Sequence, residues 1–268
     1  TKGDYVVISE PYESYTAAES GLKAGDKIIE INGESAKRKK SDEVSEILKG
    51  QPGTEVTLKV ARPGVEDTIT FDIIREKIKI DNIPYYGILE GNIGYIKLTG
   101  FTKNAGQDVR KAFLELEKNH DLEGLILDLR GNGGGLLQEA VNISNLFVDK
   151  GQTIVSTKGK LKHKNQVHKT RFAPVDKEIP LVVMVNRTSA SASEIVAGAL
   201  QDLDRGVIIG QKTFGKGLVQ NVIPLSYNAQ AKITVAKYYI PSGRCIQAID
   251  YSNKDNNGDY NKIPDSLM

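Results

Sequence analysis

Apolar residues recur along this chain with two different periods, and the way those periods alternate predicts two structural regions. Over residues 1–76 the period is mostly two. Val6 to Ser9 reads as a strand and Tyr15 to Ser20 as a turn or short helix, while Lys27 to Ile31 is a strand that opens after Gly25-Asp26 and closes on a tight Asn32-Gly33 turn. One helical stretch interrupts the alternation. Ser41 is placed to cap it, Asp42 and Glu43 suit its first turn, Val44, Ile47 and Leu48 share a face, and Gly50 to Gly53 ends it. Val56 to Val60 and Thr68 to Ile73 are two further strands, joined at Pro63-Gly64.

Residues 77–86 read as a crossing between domains, after which strand and helix periods take turns. Gly94 to Leu98 is a strand, and Asn104 to Asn119 is an amphipathic helix through Val109, Phe113, Leu114 and Leu116. Gly124 to Leu129 is a buried strand that runs into Arg130-Gly131-Asn132-Gly133-Gly134-Gly135, and Leu136 to Phe147 resumes helical spacing. Thr153 to Phe172 is basic and extended, a hairpin or loop near the cleft. Leu181 to Asn186 is a strand buried on both faces, followed by a helix from Ala190 that carries Ile195, Val196, Ala199 and Leu200. Strand, turn and helix, twice over, describe an α/β core. The expected organisation is an α+β domain over 1–76 and an α/β domain over 77–268.

Composition narrows the chemistry. With 36 basic and 34 acidic residues the net charge is only +2, which implies no nucleic-acid partner. The single cysteine, Cys245, excludes an intrachain disulfide and a cysteine-built metal cage, and reads as a small buried residue. The three histidines, His120, His163 and His168, lie outside the serine-rich region, two of them in a lysine-rich stretch that reads as solvated, so neither a metal site nor a histidine-based triad is expected. No cofactor is indicated. No apolar run reaches the ~20 residues of a membrane span, and the opening Thr-Lys-Gly-Asp is not a signal peptide, so segments are expected to be missing at both ends.

The candidate chemistry gathers between Asn186 and Gln220. Ser189, Ser191 and Ser193 alternate with alanines where a strand gives way to a helix. A hydroxyl there can face a cleft while the first helical N–H groups, which lack intrahelical partners, point toward developing negative charge. Helix capping is the competing reading. The turn Gly131 to Gly135 is Gly-x-Gly-Gly-Gly and not the dinucleotide pattern Gly-x-Gly-x-x-Gly; its better reading is a set of N–H groups that a ligand oxygen can approach closely, half of an oxyanion hole, against the competing reading of a tight turn. Gly210 to Gly217 matches seven positions of a phosphate-binding P-loop but has Gly217 where magnesium needs Ser or Thr, and a strand follows where a helix is required.

A serine attacks only when a neighbouring base removes its proton. Lys216 is the candidate, and a lysine serves only as the free amine, a form that burial favours. Phe214, Gly215, Gly217, Leu218 and Val219 flank it, no acidic residue occurs from Gly206 to Ser226, and burial is the expectation. Gln220 could orient the amine without adding charge. The alternative is an ordinary surface lysine in a turn.

Two resemblances follow from these residues. Residues 1–76, with Ser20-Gly21-Leu22-Lys23-Ala24-Gly25-Asp26 before an Ile-rich strand and Asn-Gly, resemble a PDZ domain of the type attached to bacterial proteases, although no carboxylate-binding loop is identifiable. Together with Ser189 to Ile195, Phe214-Gly215-Lys216-Gly217, Gln220 and the glycine turn, the chain resembles a carboxyl-terminal processing (tail-specific) protease of the S41 family. That resemblance implies a ClpP/crotonase-like protease core, with Ser191 as nucleophile, Lys216 as general base, Gln220 positioning the lysine, and the N–H groups of Ala192 and of Gly133 or Gly134 holding the oxyanion. It further implies protein or peptide substrates with apolar C-termini, access gated by the PDZ domain and a periplasmic or otherwise extracytoplasmic location, and it leaves a homodimer open. Arg62 and Arg75 are candidates for coupling the domains, with plain surface arginine as the other reading. The rival functions are a catalytically silent peptide-binding scaffold and an acyl-thioester enzyme that uses the glycine turn without a serine nucleophile.

Overall fold

A computed structural model describes every residue except 1, 2, 13, 14, 79, 80, 228, 255–257, 259 and 264–268. The chain divides into two compact units, residues 1–80 and 81–268.

The first unit holds α1 (Thr16–Glu19), β1 (Lys27–Ile31), β2 (Glu34–Ser35), α2 (Ser41–Leu48), β3 (Glu55–Ala61) and β4 (Ile69–Ile74), its strands forming an antiparallel sheet in the order β2-β1-β3-β4. Period-two burial on β3 sends Val56, Leu58 and Val60 to one face. There they meet Ile28, Ile31, Val44 and Ile73 in a small core. The expected strand over Val6 to Ser9 is not a regular ladder. It runs beside β1 through one bridge, Val7 to Lys27, and through Ile8 N–H to Asp26 C=O and Ile28 N–H to Val6 C=O.

Both arginines proposed as domain couplers are engaged within this unit. Arg62 forks onto Asp26 with two 2.8 Å bonds and reaches Gly21 C=O. Arg75 donates to the carbonyls of Ile47 and Leu48, acceptors that the end of α2 leaves open, and to Glu55 C=O at the start of β3. A groove of about 610 Å³, lined by Val6, Ile8, Val44, Ser45, Leu48 and Ile73 among others, opens in this unit.

The second unit is built on a five-stranded sheet, β11-β10-β7-β6-β5, from β5 (Tyr85–Leu89), β6 (Ile93–Lys97), β7 (Gly124–Asp128), β10 (Leu181–Val185) and β11 (Val207–Gly210). β6, β7, β10 and β11 are parallel and β5 closes one edge antiparallel. α3 (Ala105–Asn119) buries Val109, Phe113 and Leu116, matching its sequence spacing, and α4 (Leu137–Ser144) packs against it and against α5 (Ala192–Asp202). The first strand, β5, begins in the last two residues of the stretch read as a crossing and runs beyond it.

The basic segment is a hairpin of β8 (Thr153–Lys158) and β9 (Gln166–Lys169) in a second sheet, β12-β13-β8-β9, with β12 (Leu218–Pro224) and β13 (Gln230–Tyr239). Within it His168, paired with Val155 of β8, is half-buried, contrary to the solvated reading; burial, and then Arg171, push the imidazole toward its neutral form. Past β13 come β14 (Ile249–Lys254) and β15 (Tyr260–Lys262). The sequence pattern predicts no element there, and the final stretch from Pro264 lies outside the described residues. No helix among the described residues is long and apolar enough to cross a membrane.

Candidate active site

Parallel strands β7 and β10 end side by side, and the turns that leave them form the site. Asp128, buried at the end of β7, accepts from Arg130 N–H, Nε and Nη2 and from the Tyr95 hydroxyl at 2.6 Å. Burial would raise its carboxyl, but Arg130 and Tyr95 outweigh that and hold it below the usual carboxylate range. The glycine turn therefore leaves a fixed strand end.

Asn132, fully buried, shapes that turn. Its Nδ2 donates to Leu98 C=O and its Oδ1 accepts Gly134 N–H at 2.9 Å, while its main-chain carbonyl accepts Ala190 N–H and Ser193 Oγ. Ser189 Oγ donates to Leu129 C=O and accepts Asn186 N–H. Ser189 and Ser193 are both fully buried and serve as struts between the two turns.

Ser191 differs from its neighbours. It is half-buried, stands at the N-cap of α5 and has φ 56° and ψ −111°, a conformation that costs a non-glycine residue about 1–3 kcal/mol. Such a sharp strand-to-helix turn lifts a side chain out of the backbone's path. Ala192 follows as the first helical residue, so its N–H has no partner inside the helix. Gly134 lies directly against this elbow: a Cβ there would come within 2.9 Å of Ala192 N and of Ser191 Cβ. Its own N–H is taken by Asn132, whereas Gly133 is exposed with open space around it.

Lys216 reaches the elbow through its backbone. Glu194, buried in α5, accepts Ser191 N–H at 2.7 Å and Lys216 N–H at 2.9 Å on Oε2, and Gly215 N–H at 2.6 Å on Oε1. Because one oxygen takes both bonds, the nitrogens of Ser191 and Lys216 are at most about 5.6 Å apart, the two distances laid end to end. On its other side the loop is fixed by Gly217 N–H to Gln247 Oε1 and by Ala248 N–H to Gly215 C=O.

The lysine side chain itself is exposed, which corrects the expected burial. The reason is the alternation of an extended segment. Gly215 and Gly217 face inward, where a Cβ would come within 2.2 Å of Ala248 Cβ and 2.4 Å of Gln247 N, so Phe214 and Lys216 face outward. Among the described residues no hydrogen bond or ion pair reaches the Lys216 ammonium. Gln220 is exposed on β12 and its Nε2 makes a long 3.5 Å contact with Thr234 Oγ1, so it is not brought to Lys216. No cluster of three or more metal-ligating side chains occurs among the described residues.

Sequence reasoning gave no role to Asn132, Glu194 or Gln247. For Glu194 a signal was present, since Ser191 and Glu194 have the Ser-x-x-Glu spacing of a capping box.

Comparison with known proteins agrees in both units. Residues 92–252 match the model for peptidase family S41, and residues 7–62 match a PDZ domain model. A carboxy-terminal-processing protease of Bartonella bacilliformis is 38% identical over 251 residues, covering 92% of this chain and 57% of that protein. A chloroplastic C-terminal processing peptidase of Tetradesmus obliquus is 35% identical, with 93% and 56% covered, and a carboxy-terminal processing protease of Bacillus subtilis is 36% identical, with 98% and 56% covered. This chain thus spans little more than half the length of those relatives. The solved photosystem II D1 C-terminal processing protease superposes with a TM-score of 0.61 at 35% identity, over 90% of this chain and 65% of that one.

Proposed function

Since this chain belongs to peptidase family S41, we propose that it is a serine endopeptidase that cuts protein substrates near their C-termini. In this reading Ser191 is the nucleophile, Lys216 the general base and Gln220 its positioning partner. The observation that supports it most is the shared carboxylate oxygen, which holds the backbones of Ser191 and Lys216 close enough for a flexible four-carbon side chain to reach the hydroxyl by rotation alone.

The chemistry then runs as acyl transfer. Lys216 Nζ, as the free amine, takes the Ser191 Oγ proton while Oγ attacks the scissile carbonyl carbon. The oxyanion is held by Ala192 N–H and Gly133 N–H, with Gly134 allowing the two turns to meet. Collapse breaks the peptide bond, and Lys216 gives its proton to the departing amine. Water, deprotonated by Lys216, then attacks the acyl-serine ester, and as the bond to Oγ breaks Lys216 returns that proton to Ser191 Oγ, freeing the shortened chain and restoring the amine. Peptide lying across the exposed lysine would remove water from it and favour the amine. Gln220 would leave its long contact with Thr234 and turn toward Nζ.

The groove of the PDZ unit supports tail capture by strand addition, with apolar pockets for an apolar C-terminus and access to the protease unit gated by that binding. An extracytoplasmic site of action and a homodimer belong to the same proposal.

Cleavage of an unstructured protein with an apolar C-terminus, followed by mass spectrometry of the products, tests the reading. The intact chain should release a C-terminal fragment, and Ser191→Ala and Lys216→Ala should each reduce the rate at least ~10³-fold. Full activity in either variant would refute the dyad.

A further inference from the structure

The carboxylate of Glu194 does more than cap a helix. In a capping box the carboxylate accepts one bond, from the N-cap N–H, and Ser191 donates it. Glu194 also takes two N–H groups from a loop 21 and 22 positions downstream, the loop that carries Lys216. It is 5% exposed, and no ion pair neutralises it among the described residues. A buried carboxylate is costly unless hydrogen bonds replace its water, and here three backbone N–H groups do so.

We propose that Glu194 is a positioning residue that sets the distance between the nucleophile and its base, a role that rests on the Ser191–Lys216 reading above. Both Lys216 neighbours are already fixed, Gly215 by Ala248 and Gly217 by Gln247 and Tyr238, so the loop is stiff along its own length. What those bonds do not specify is where the loop sits relative to the serine elbow. Two hydrogen-bonded links that join the segments close to Lys216 are Glu194, and Phe214 N–H to Ser189 C=O at 3.0 Å. Of these, Glu194 alone bonds to the nucleophile residue and the base residue themselves. With the backbones held at that separation, the approach of Nζ to Oγ is left, in this reading, to rotation of the two side chains.

Substitutions separate this role from simple stabilisation. Glu194→Ala removes both acceptor oxygens and with them all three hydrogen bonds. Glu194→Gln can keep its carbonyl oxygen on Ser191 and Lys216 N–H, but it then points an NH₂ group at Gly215 N–H. Each is compared with the parent chain at a temperature well below unfolding, by kcat and KM on the tailed substrate and by the rate at which a fluorophosphonate probe labels Ser191, both per folded molecule. A displacement of about 1 Å is worth roughly 10²-fold, so Glu194→Ala should lose about 100-fold in kcat and in labelling rate with KM changed less than about threefold. Glu194→Gln should recover roughly a tenth of the parent rate by the same reasoning. Should the alanine variant not fold, the glutamine variant carries the test. Parent-like kcat and labelling per folded molecule in the folded variants would overturn the proposal. Activity surviving in Ser191→Ala or Lys216→Ala would instead overturn the underlying reading, whatever Glu194 does.

Discussion

Gly134 is packed against Ser191 with no room for a methyl group: a Cβ would stand 2.9 Å from Ser191 Cβ and 2.6 Å from Ala190 C=O, at φ 97°. The glycine turn and the serine elbow are therefore one object, and the N–H of Ala192 owes its position to a residue far away in sequence. Gly134→Ala should push the elbow outward and lower kcat by about 100-fold or more while KM stays within a few-fold. Steady-state kinetics on a tailed substrate, with the folded fraction measured in parallel, checks it.

Asn132 holds the same junction from beneath. Asn132→Ala leaves Gly134 N–H and Leu98 C=O without partners in a buried place, and the loss should be about 3 kcal/mol, read as a lower denaturant midpoint with unchanged slope. Asn132→Asp keeps the acceptor for Gly134 but sets a carboxylate against Leu98 C=O, and should be no better tolerated.

In the first unit, Asp26 and Arg62 set a pH dependence. The Arg62 hydrogen bonds come first among the causes that hold the Asp26 carboxyl below its ordinary 3.8, and burial opposes them without prevailing. A carboxyl depressed in the folded state stabilises it above the ordinary value, and that contribution is lost as pH falls through the depressed one. Thermal melts between pH 7 and pH 2 should show the unit weakening below about pH 3.8. Arg62→Met should melt lower at neutral pH and lose much of that acid dependence.

Ser45, half-buried on α2, lines the groove of the PDZ unit. Ser45→Glu places bulk and negative charge where a peptide's carboxylate would approach. KM for a protein with an apolar tail should rise roughly tenfold, equivalent to about 1.4 kcal/mol, with kcat and fluorophosphonate labelling unchanged. Labelling that falls together with capture would show that the groove governs the protease chemistry and not tail binding alone.

Local periodicity made most of the fold legible. Val109, Phe113 and Leu116 announced α3, and the apolar run Leu181 to Val185 announced β10, because each is buried by its own spacing. Ser191 stood out for the same kind of reason, an unusual cluster at a strand-to-helix junction. Lys216 did not behave as its neighbours suggested. Its exposure is decided by Ala248 and Gln247, which press on Gly215 and Gly217 from a segment 30 or more positions away, and no window around the lysine contains them. Likewise, the absence of acidic residues from 206 to 226 concealed Glu194, which arrives from α5. β5 is hard to read because Tyr85 to Leu89 is an edge strand with mixed exposure, and neither domain coupling nor plain surface exposure describes Arg62 and Arg75, because their partners lie across the sheet or at a helix end, outside any local window.

The central claim is that Ser191, and neither Ser189 nor Ser193, is the nucleophile, and that it depends on Lys216. Labelling the chain with a fluorophosphonate probe and mapping the adduct by peptide mass spectrometry tests this directly. The account predicts a single adduct on Ser191, formed at least ~100-fold more slowly in Lys216→Ala and no faster in Lys216→Arg, since a guanidinium cannot accept the proton. An adduct on Ser189 or Ser193, or an undiminished rate without the lysine, would contradict it.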